Sequence, residues 1–410
     1  MNRFGRFSGR PPEVVLSTPP YIAALDFNPM MRAQAFDLMR RLMWHYQNKT
    51  TDQAADQYRE PVSNYRDPDL WRQEIERIHR KVPLPVALSA ELPEPGSYKA
   101  LDVAGTPVLL TRDRTGQARA MINVCRHRGA ELLPSGVGKV SRVTCPYHAW
   151  SYDLAGCLVG VYGEDTFGSV DRQQFSLLSL PVAERAGFIF ICLDRNAAID
   201  LDDWLGDLAP ILDALGLERC FHHGRTFLPG PNWKLVVDGY LEGYHFASLH
   251  RTTVFRTNHS NMATFDAFGP HMRVAFALKA IGASVDRPED SWEPATNVGP
   301  IFWLFPGIAI AGGWRRIVEV SIVLPGTSWD TSTTEQHTLL RQRPVDDEEV
   351  KVADHARDWF YEVTLEEDYR TGEGVQRGLD AMAGTDFVFG RNEPGVQHFH
   401  RTVTEMVAGR

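Results

Sequence analysis

Two of the chain's five cysteines stand in closely matching surroundings. Cys125 and His127 form a Cys-x-His pair, and Cys145 and His148 form a Cys-x-x-His pair after 17 intervening residues. A thiolate and an imidazole two or three residues apart, presented twice, have metal-ligand spacing. Zinc sites more often use Cys-x2-4-Cys knuckles, in which one loop presents two thiolates. Here each loop offers one sulfur and one nitrogen. That set suits a two-iron cluster with both cysteines on one iron and both histidines on the other. Zinc, and four buried side chains without metal, are the alternatives.

A second constellation lies in "NWKLVVDGYLEGYHFASLH", where His245 and His250 form a His-x4-His pair. On an unbroken helix five residues turn the chain by roughly 500°, which leaves the two rings about 140° apart. They can share a metal only if the helix ends or distorts between them, and "FASLH" reads as such an end. Further on, "TLEEDYRTGEGVQRGL" offers Glu366, Glu367 and Asp368. By themselves these acids read equally well as a solvated helix face.

The elements that must position these groups change character along the chain. Residues 1 to about 60 are rich in helix formers, and Asp67 can cap a following helix with Leu70, Ile75 and Ile78 at helical spacing. From about 83 to 195 the segments are short, β-branched and broken by Gly, Pro and Asp, with "RDRTGQ" as a hairpin turn. "DDWLGDLAPILDALGL" (202–217) predicts one amphipathic helix, and a second is expected over 232–247. Strands are expected over 272–281, 300–313, 316–326 and 335–345, followed by long helices. The fold class is α+β: a small all-β domain and a C-terminal domain of antiparallel sheet with helices packed on it.

The balance of 43 basic and 52 acidic residues gives −9, which disfavours nucleic acid or an anionic membrane surface as partner. No apolar run approaches a membrane span, and the basic N-terminus lacks an apolar h-region. An odd cysteine count without disulfide-like spacing suits a reducing cytoplasm. Cys157, Cys192 and Cys220 read as packing cysteines, and His222-His223 as structural or surface residues. There is no G-x-G-x-x-G after a strand and no P-loop, so no flavin or nicotinamide site is evident.

"CRHRGAEL" and "CPYHAWSYDLAG" together resemble the Rieske [2Fe-2S] motif of the large (alpha) subunits of aromatic ring-hydroxylating dioxygenases, the Rieske non-haem iron oxygenases. Respiratory Rieske proteins add a disulfide-forming cysteine to each loop; Ala130 and Tyr147 hold those places here. Ala149 stands where the family usually has Gly. "NWKLVVDGYLEGYHFASLH" is similar to the family's Asn-Trp-Lys…Tyr-His-x4-His signature, although Asp238-Gly239 replaces its acidic residue and Asn. The acidic run is similar to Glu-Asp-x4-Glu-x2-Gln-x-Gly-Leu.

The resemblance implies a [2Fe-2S] cluster on Cys125, His127, Cys145 and His148. It implies a mononuclear Fe(II) held by His245, His250 and Asp368, with Glu367 the near alternative. Glu242, at i, i+3 from His245 on the expected helix, would link that histidine to a cluster histidine of a neighbouring subunit. The implied assembly is a head-to-tail homotrimer (α3) or α3β3. The implied division is an N-terminal helical segment (1–80), a Rieske domain (81–197) and a catalytic domain (198–410) of helix-grip, or START-like, architecture. The implied activity is that of a terminal oxygenase, a dioxygenase or monooxygenase that uses O2 to hydroxylate an apolar, aromatic or cyclic small molecule in aromatic compound catabolism. Electrons would come from NAD(P)H only indirectly, through a reductase and possibly a ferredoxin. Leu241, Phe246, Met262, Phe302, Trp303 and Phe305 are the expected pocket lining, each with a second reading as core. The alternatives are oxidative N- or O-demethylation, a Rieske electron carrier without oxygenase activity, and a ligand-binding cup.

Overall fold

The structure is a computed structural model, and it describes residues 28–409. The expectations for the basic N-terminus and the first part of the 1–80 segment lie outside the described residues. Helix Pro29–Asn48 starts where Asn28 accepts a hydrogen bond from the Met31 amide, with proline in the first turn. Its apolar stripe, including Ala35, Leu38, Met39 and Leu42, is fully buried. Asp67 caps Pro68–Glu74 as expected.

The β-rich part runs from strand Leu84–Leu88 to strand Phe188–Ile191 in three small antiparallel sheets. The largest places Ser97–Val103 between Thr106–Arg112 and Gly136–Lys139. The two cysteine loops follow strands Ala118–Ile122 and Val143–Thr144.

The second unit is a seven-stranded antiparallel sheet. From one edge its strands are Phe221–Gly230, Ser332–Leu340, Ile317–Pro325, Ile308–Ala311, Val298–Leu304, His271–Leu278 and Asn258–Phe268. Alternation divides its side chains between two layers. Ala275, Phe302, Leu304, Val320 and Ile322 face one way and share a core with the N-terminal helix. Met272, Trp303, Ala309 and Val323 face the other way and share a core with Trp233, Val236 and Val237 of helix Trp233–Tyr240 and with Tyr369 and Phe399. Full burial of each large apolar side chain contributes roughly 1.5–3 kcal/mol.

Three expected elements differ. The helix expected over 232–247 ends at Tyr240, and Leu241 leaves helical geometry. That over 202–217 breaks at Gly206, whose φ is 49°. The single strand expected over 300–313 is two, Val298–Leu304 and Ile308–Ala311, because Pro306 supplies no ladder N–H. Among the described residues, no helix is long and apolar enough to cross a membrane.

Candidate metal centres

The two cysteine loops fold alike. In each, the cysteine amide donates to a carbonyl five residues on: Cys125 to Ala130 at 2.8 Å and Cys145 to Trp150 at 2.8 Å. The amide four residues on donates back to the cysteine carbonyl, from Gly129 and from Ala149, each at 3.0 Å. Both of those residues are left-handed, with φ 76° at Gly129 and 56° at Ala149. This shared turn buries both cysteines and brings the His127 and His148 rings to 4.7 Å between centroids. The Nδ1 atoms of His127 and His148 are buried without a hydrogen-bond partner. Burial pushes the Cys125 thiol up, and Cys145 beside it adds to the shift. Two buried sulfurs and two orphaned ring nitrogens fit a [2Fe-2S] cluster, whose irons would take these atoms. Tyr152 supports the loop by accepting the Arg126 amide at 3.0 Å, and its hydroxyl lies 3.4 Å from Cys125 Sγ.

The second centre forms because the helix stops at Tyr240. Residues beyond it run through tight turns, with the Ser248 and Leu249 amides donating to the His245 carbonyl. The two imidazoles thereby converge. His250 Nε2 lies 3.1 Å and His245 Nε2 3.7 Å from Asp368 Oδ1. One donor atom from each residue falls within 4.8 Å of the others. Asp368 sits in a π-helical turn, Thr364–Tyr369, inserted after helix Asp347–Val363. Such turns recur at functional sites because the extra residue redirects a side chain.

The remaining ring nitrogens are also engaged. His245 Nδ1 bonds Glu242 and His250 Nδ1 bonds Glu367. Thr253 Oγ1 donates to Glu367 at 2.7 Å. Two imidazoles and one carboxylate with their outer nitrogens fixed by carboxylates suit a mononuclear iron with open positions. Burial pushes His250 down, but Asp368 and Glu367 outweigh it and hold the ring above the ordinary histidine range. Glu242 reaches His245 from the turn region rather than from a shared helix face.

The expected pocket residues separate. Phe246 meets His245 edge-on at 5.0 Å. Trp303 lies on the same side of the sheet, 6.2 Å from the Tyr240 ring. Leu241 and Met262 line a crevice beside Glu242. Phe305 packs into the core against Phe399. Phe302 faces the opposite layer, 6.4 Å from Trp314, and is corrected to a core residue. Tyr240 was not anticipated; it ends the site helix, and its hydroxyl donates to Ser321 at 3.1 Å.

Cys192 and Cys220 are buried as expected, but Cys157 is exposed, because Leu158 rather than Cys157 points into the β core. His222 bonds His337 at 3.1 Å and His223 bonds Asp354 at 2.9 Å, in keeping with structural roles. Glu91, His222 and His337 also converge with metal-like spacing. There the Lys99 ammonium already lies 3.1 Å from Glu91 and 2.6 Å from Glu335, so the negative charge is answered.

Known proteins match both parts of the chain. The family model "Rieske [2Fe-2S] domain" matches residues 82–170, and "Ring hydroxylating alpha subunit (catalytic domain)" matches 217–409. The chain is 30% identical over 364 residues to the carnitine monooxygenase oxygenase subunit of Escherichia coli (strain K12), covering 84% of this chain and 93% of that protein. It is 30% identical over 273 residues to the anthranilate 1,2-dioxygenase large subunit of Acinetobacter baylyi, covering 64% and 57%. The crystal structure of a quaternary ammonium Rieske monooxygenase with L-carnitine matches with a TM-score of 0.73 at 25% identity, over 93% of this chain and 99% of the other.

Proposed function

Because this chain belongs to the Rieske ring-hydroxylating oxygenase alpha-subunit family, we propose that its substrate is a quaternary ammonium compound, oxidised at a carbon bound to nitrogen. The class is plain: an oxidoreductase, the oxygenase component of a Rieske system, with a [2Fe-2S] cluster and a non-haem iron. In this reading Cys125, His127, Cys145 and His148 hold the cluster, and His245, His250 and Asp368 hold the iron. Together these groups supply electrons one at a time and open coordination positions for O2. Glu242 and Glu367 fix the tautomer and orientation of the iron-binding imidazoles. Phe246, Tyr240 and Trp303 close the sheet side of the site against water.

The observation that carries the substrate class is the 30% identity to a carnitine monooxygenase subunit across 84% of the chain. The aromatic rings at Tyr240 and Trp303 are compatible with it, since a quaternary ammonium is attracted to an aromatic face. The test is oxygen uptake by the purified protein with a reductase and NAD(P)H, across L-carnitine, glycine betaine, choline and anthranilate. Uptake coupled to loss of an N-substituent from one of the ammonium compounds is expected. Uptake with anthranilate alone overturns the proposal. A second reading, dihydroxylation of an aromatic acid, draws on the anthranilate dioxygenase match. Labelled O2 separates the two: one labelled atom enters the product in the first and two in the second. The same reading includes a cytoplasmic location and a head-to-tail trimer (α3 or α3β3), in which Glu242 and the exposed Tyr244 of one subunit meet the cluster histidines of the next. Solution mass gives the check on assembly.

A further inference from the structure

Among the described residues, the sheet carries one acid that forms no ion pair. Glu319 stands on strand Ile317–Pro325, in register with Ala311 on one neighbour and Thr338 on the other. Alternation puts it on the same face as Ser321, which accepts the Tyr240 hydroxyl. Beside them Gln336 Nε2 donates to Thr364 Oγ1 at 3.0 Å, at the start of the π-helical turn that bears Asp368. Glu319 therefore faces the layer between the sheet, the site helix and that turn. Ile301 and Ala311 border the same layer, and like Glu319 they remain partly accessible.

The carboxylate accepts only the Thr338 hydroxyl, at 3.0 and 2.9 Å, and among the described residues it makes no ion pair. Arg357, on helix Asp347–Val363, acts on it from a distance, but that guanidinium is already held by Asp354 and Asp358 at 2.8 Å each. His223, on strand Phe221–Gly230, is turned to Asp354. From the site helix, Tyr240 reaches Ser321, two residues along the same strand from Glu319. Burial pushes the Glu319 carboxyl up to about 8, with Thr338 and Arg357 opposing only in part. A carboxyl so placed stays protonated near neutral pH and ionises when a cation arrives beside it.

We propose that Glu319 is a specificity-determining residue that pairs with the positive charge of an alkylammonium substrate bound between the sheet and the iron-binding residues. The proposal rests on the quaternary ammonium reading above. It adds that an alkylammonium is favoured over a neutral or acidic molecule at this end of the site, because only a cation stabilises the ionised form of the acid.

The test is anaerobic calorimetry on the iron-loaded full chain. The probes are choline, glycine betaine and L-carnitine, with 3,3-dimethylbutan-1-ol as the uncharged isostere of choline. Wild type is expected to bind at least one ammonium with release of a proton at pH 7, seen as a dependence on buffer ionisation enthalpy. Glu319→Gln should weaken that ammonium at least tenfold and abolish the release, while the uncharged isostere binds no more weakly. Glu319→Asp, which keeps the charge, should recover part of the affinity. An ammonium bound and oxidised equally well by Glu319→Gln overturns the counter-charge alone. No ammonium bound by wild type overturns the substrate reading and this proposal together.

Discussion

At the scale of single residues, both nitrogens of each imidazole proposed to hold iron are engaged. Nε2 of His245 and His250 faces Asp368, and Nδ1 meets a carboxylate, Glu242 or Glu367. Losing such an outer partner typically weakens metal binding by about 10–100-fold. Glu367→Gln is therefore expected to lower Fe(II) affinity by about that factor in anaerobic titration, with the visible cluster spectrum unchanged. Unaltered affinity would leave Glu367 a packing bond only. Glu242 differs because it also stands beside the exposed Tyr244, near the surface. Glu242→Gln should retain both metals yet slow oxidation of the reduced cluster by at least about tenfold in rapid mixing with substrate and O2. A wild-type rate there rules out the proposed bridging role. The sequence displayed the Cys-x-His and Cys-x-x-His pairs directly, because chain neighbours are spatial neighbours. Without the family resemblance it left the adjacent acids Glu366, Glu367 and Asp368 open. Side chains one residue apart on a helix point about 100° apart, and only the fold decides that Asp368 faces both rings while Glu367 holds His250.

At the scale of elements, the two cluster loops provide their own control. The same turn with the same two backbone bonds uses Gly129 in one loop and Ala149 in the other, both at positive φ. An alanine in the left-handed region costs roughly 1–2 kcal/mol relative to its preferred conformations. Glycine at 129 avoids this. Ala149→Gly is expected to stabilise the β-rich unit by about 1 kcal/mol, because the added backbone freedom of the unfolded chain offsets part of the relief. A raised thermal midpoint for loss of the cluster's visible absorption is the check. A lowered midpoint would show that the Ala149 methyl contributes packing that exceeds the strain. Elements were legible where composition changes sharply, as at the onset of short strands near residue 83. They were not legible within the buried sheet. Phe302 and Trp303 are adjacent, equally apolar and fully buried, yet they face opposite layers. A strand covered on both sides gives no alternation from which to read its phase.

At the scale of the whole molecule, one polar knot joins three distant parts of the chain beneath the iron site. His400 of the C-terminal helix bonds Asp238 of the site helix at 2.8 Å. Tyr65, from the segment before the β-rich unit, donates to the same Asp238 at 2.7 Å. Glu60 lies 3.6 Å from the other His400 nitrogen, on a strand that pairs Tyr58–Pro61 with Asp386–Phe389. Burial alone would push His400 down, but Asp238 and Glu60 outweigh it and raise the ring to about 9. A histidine whose folded value lies above its unfolded one, about 6.5, stabilises the fold fully below pH 6.5. The benefit is lost as pH rises through about 9. That interval corresponds to on the order of 3 kcal/mol. His400→Gln is accordingly expected to lower the thermal midpoint of the second unit most near pH 6, with the gap to wild type closing as pH passes 9. A pH-independent gap would mean that His400 acts by shape alone. A gap that widens with pH would mean that it is neutral in the folded protein. The first outcome bears on function as well as stability. Asp238 lies two residues before Tyr240, where the site helix must end for His245 and His250 to converge. Tyr65 and His400 thus hold that helix just before the turn that carries His245 and His250.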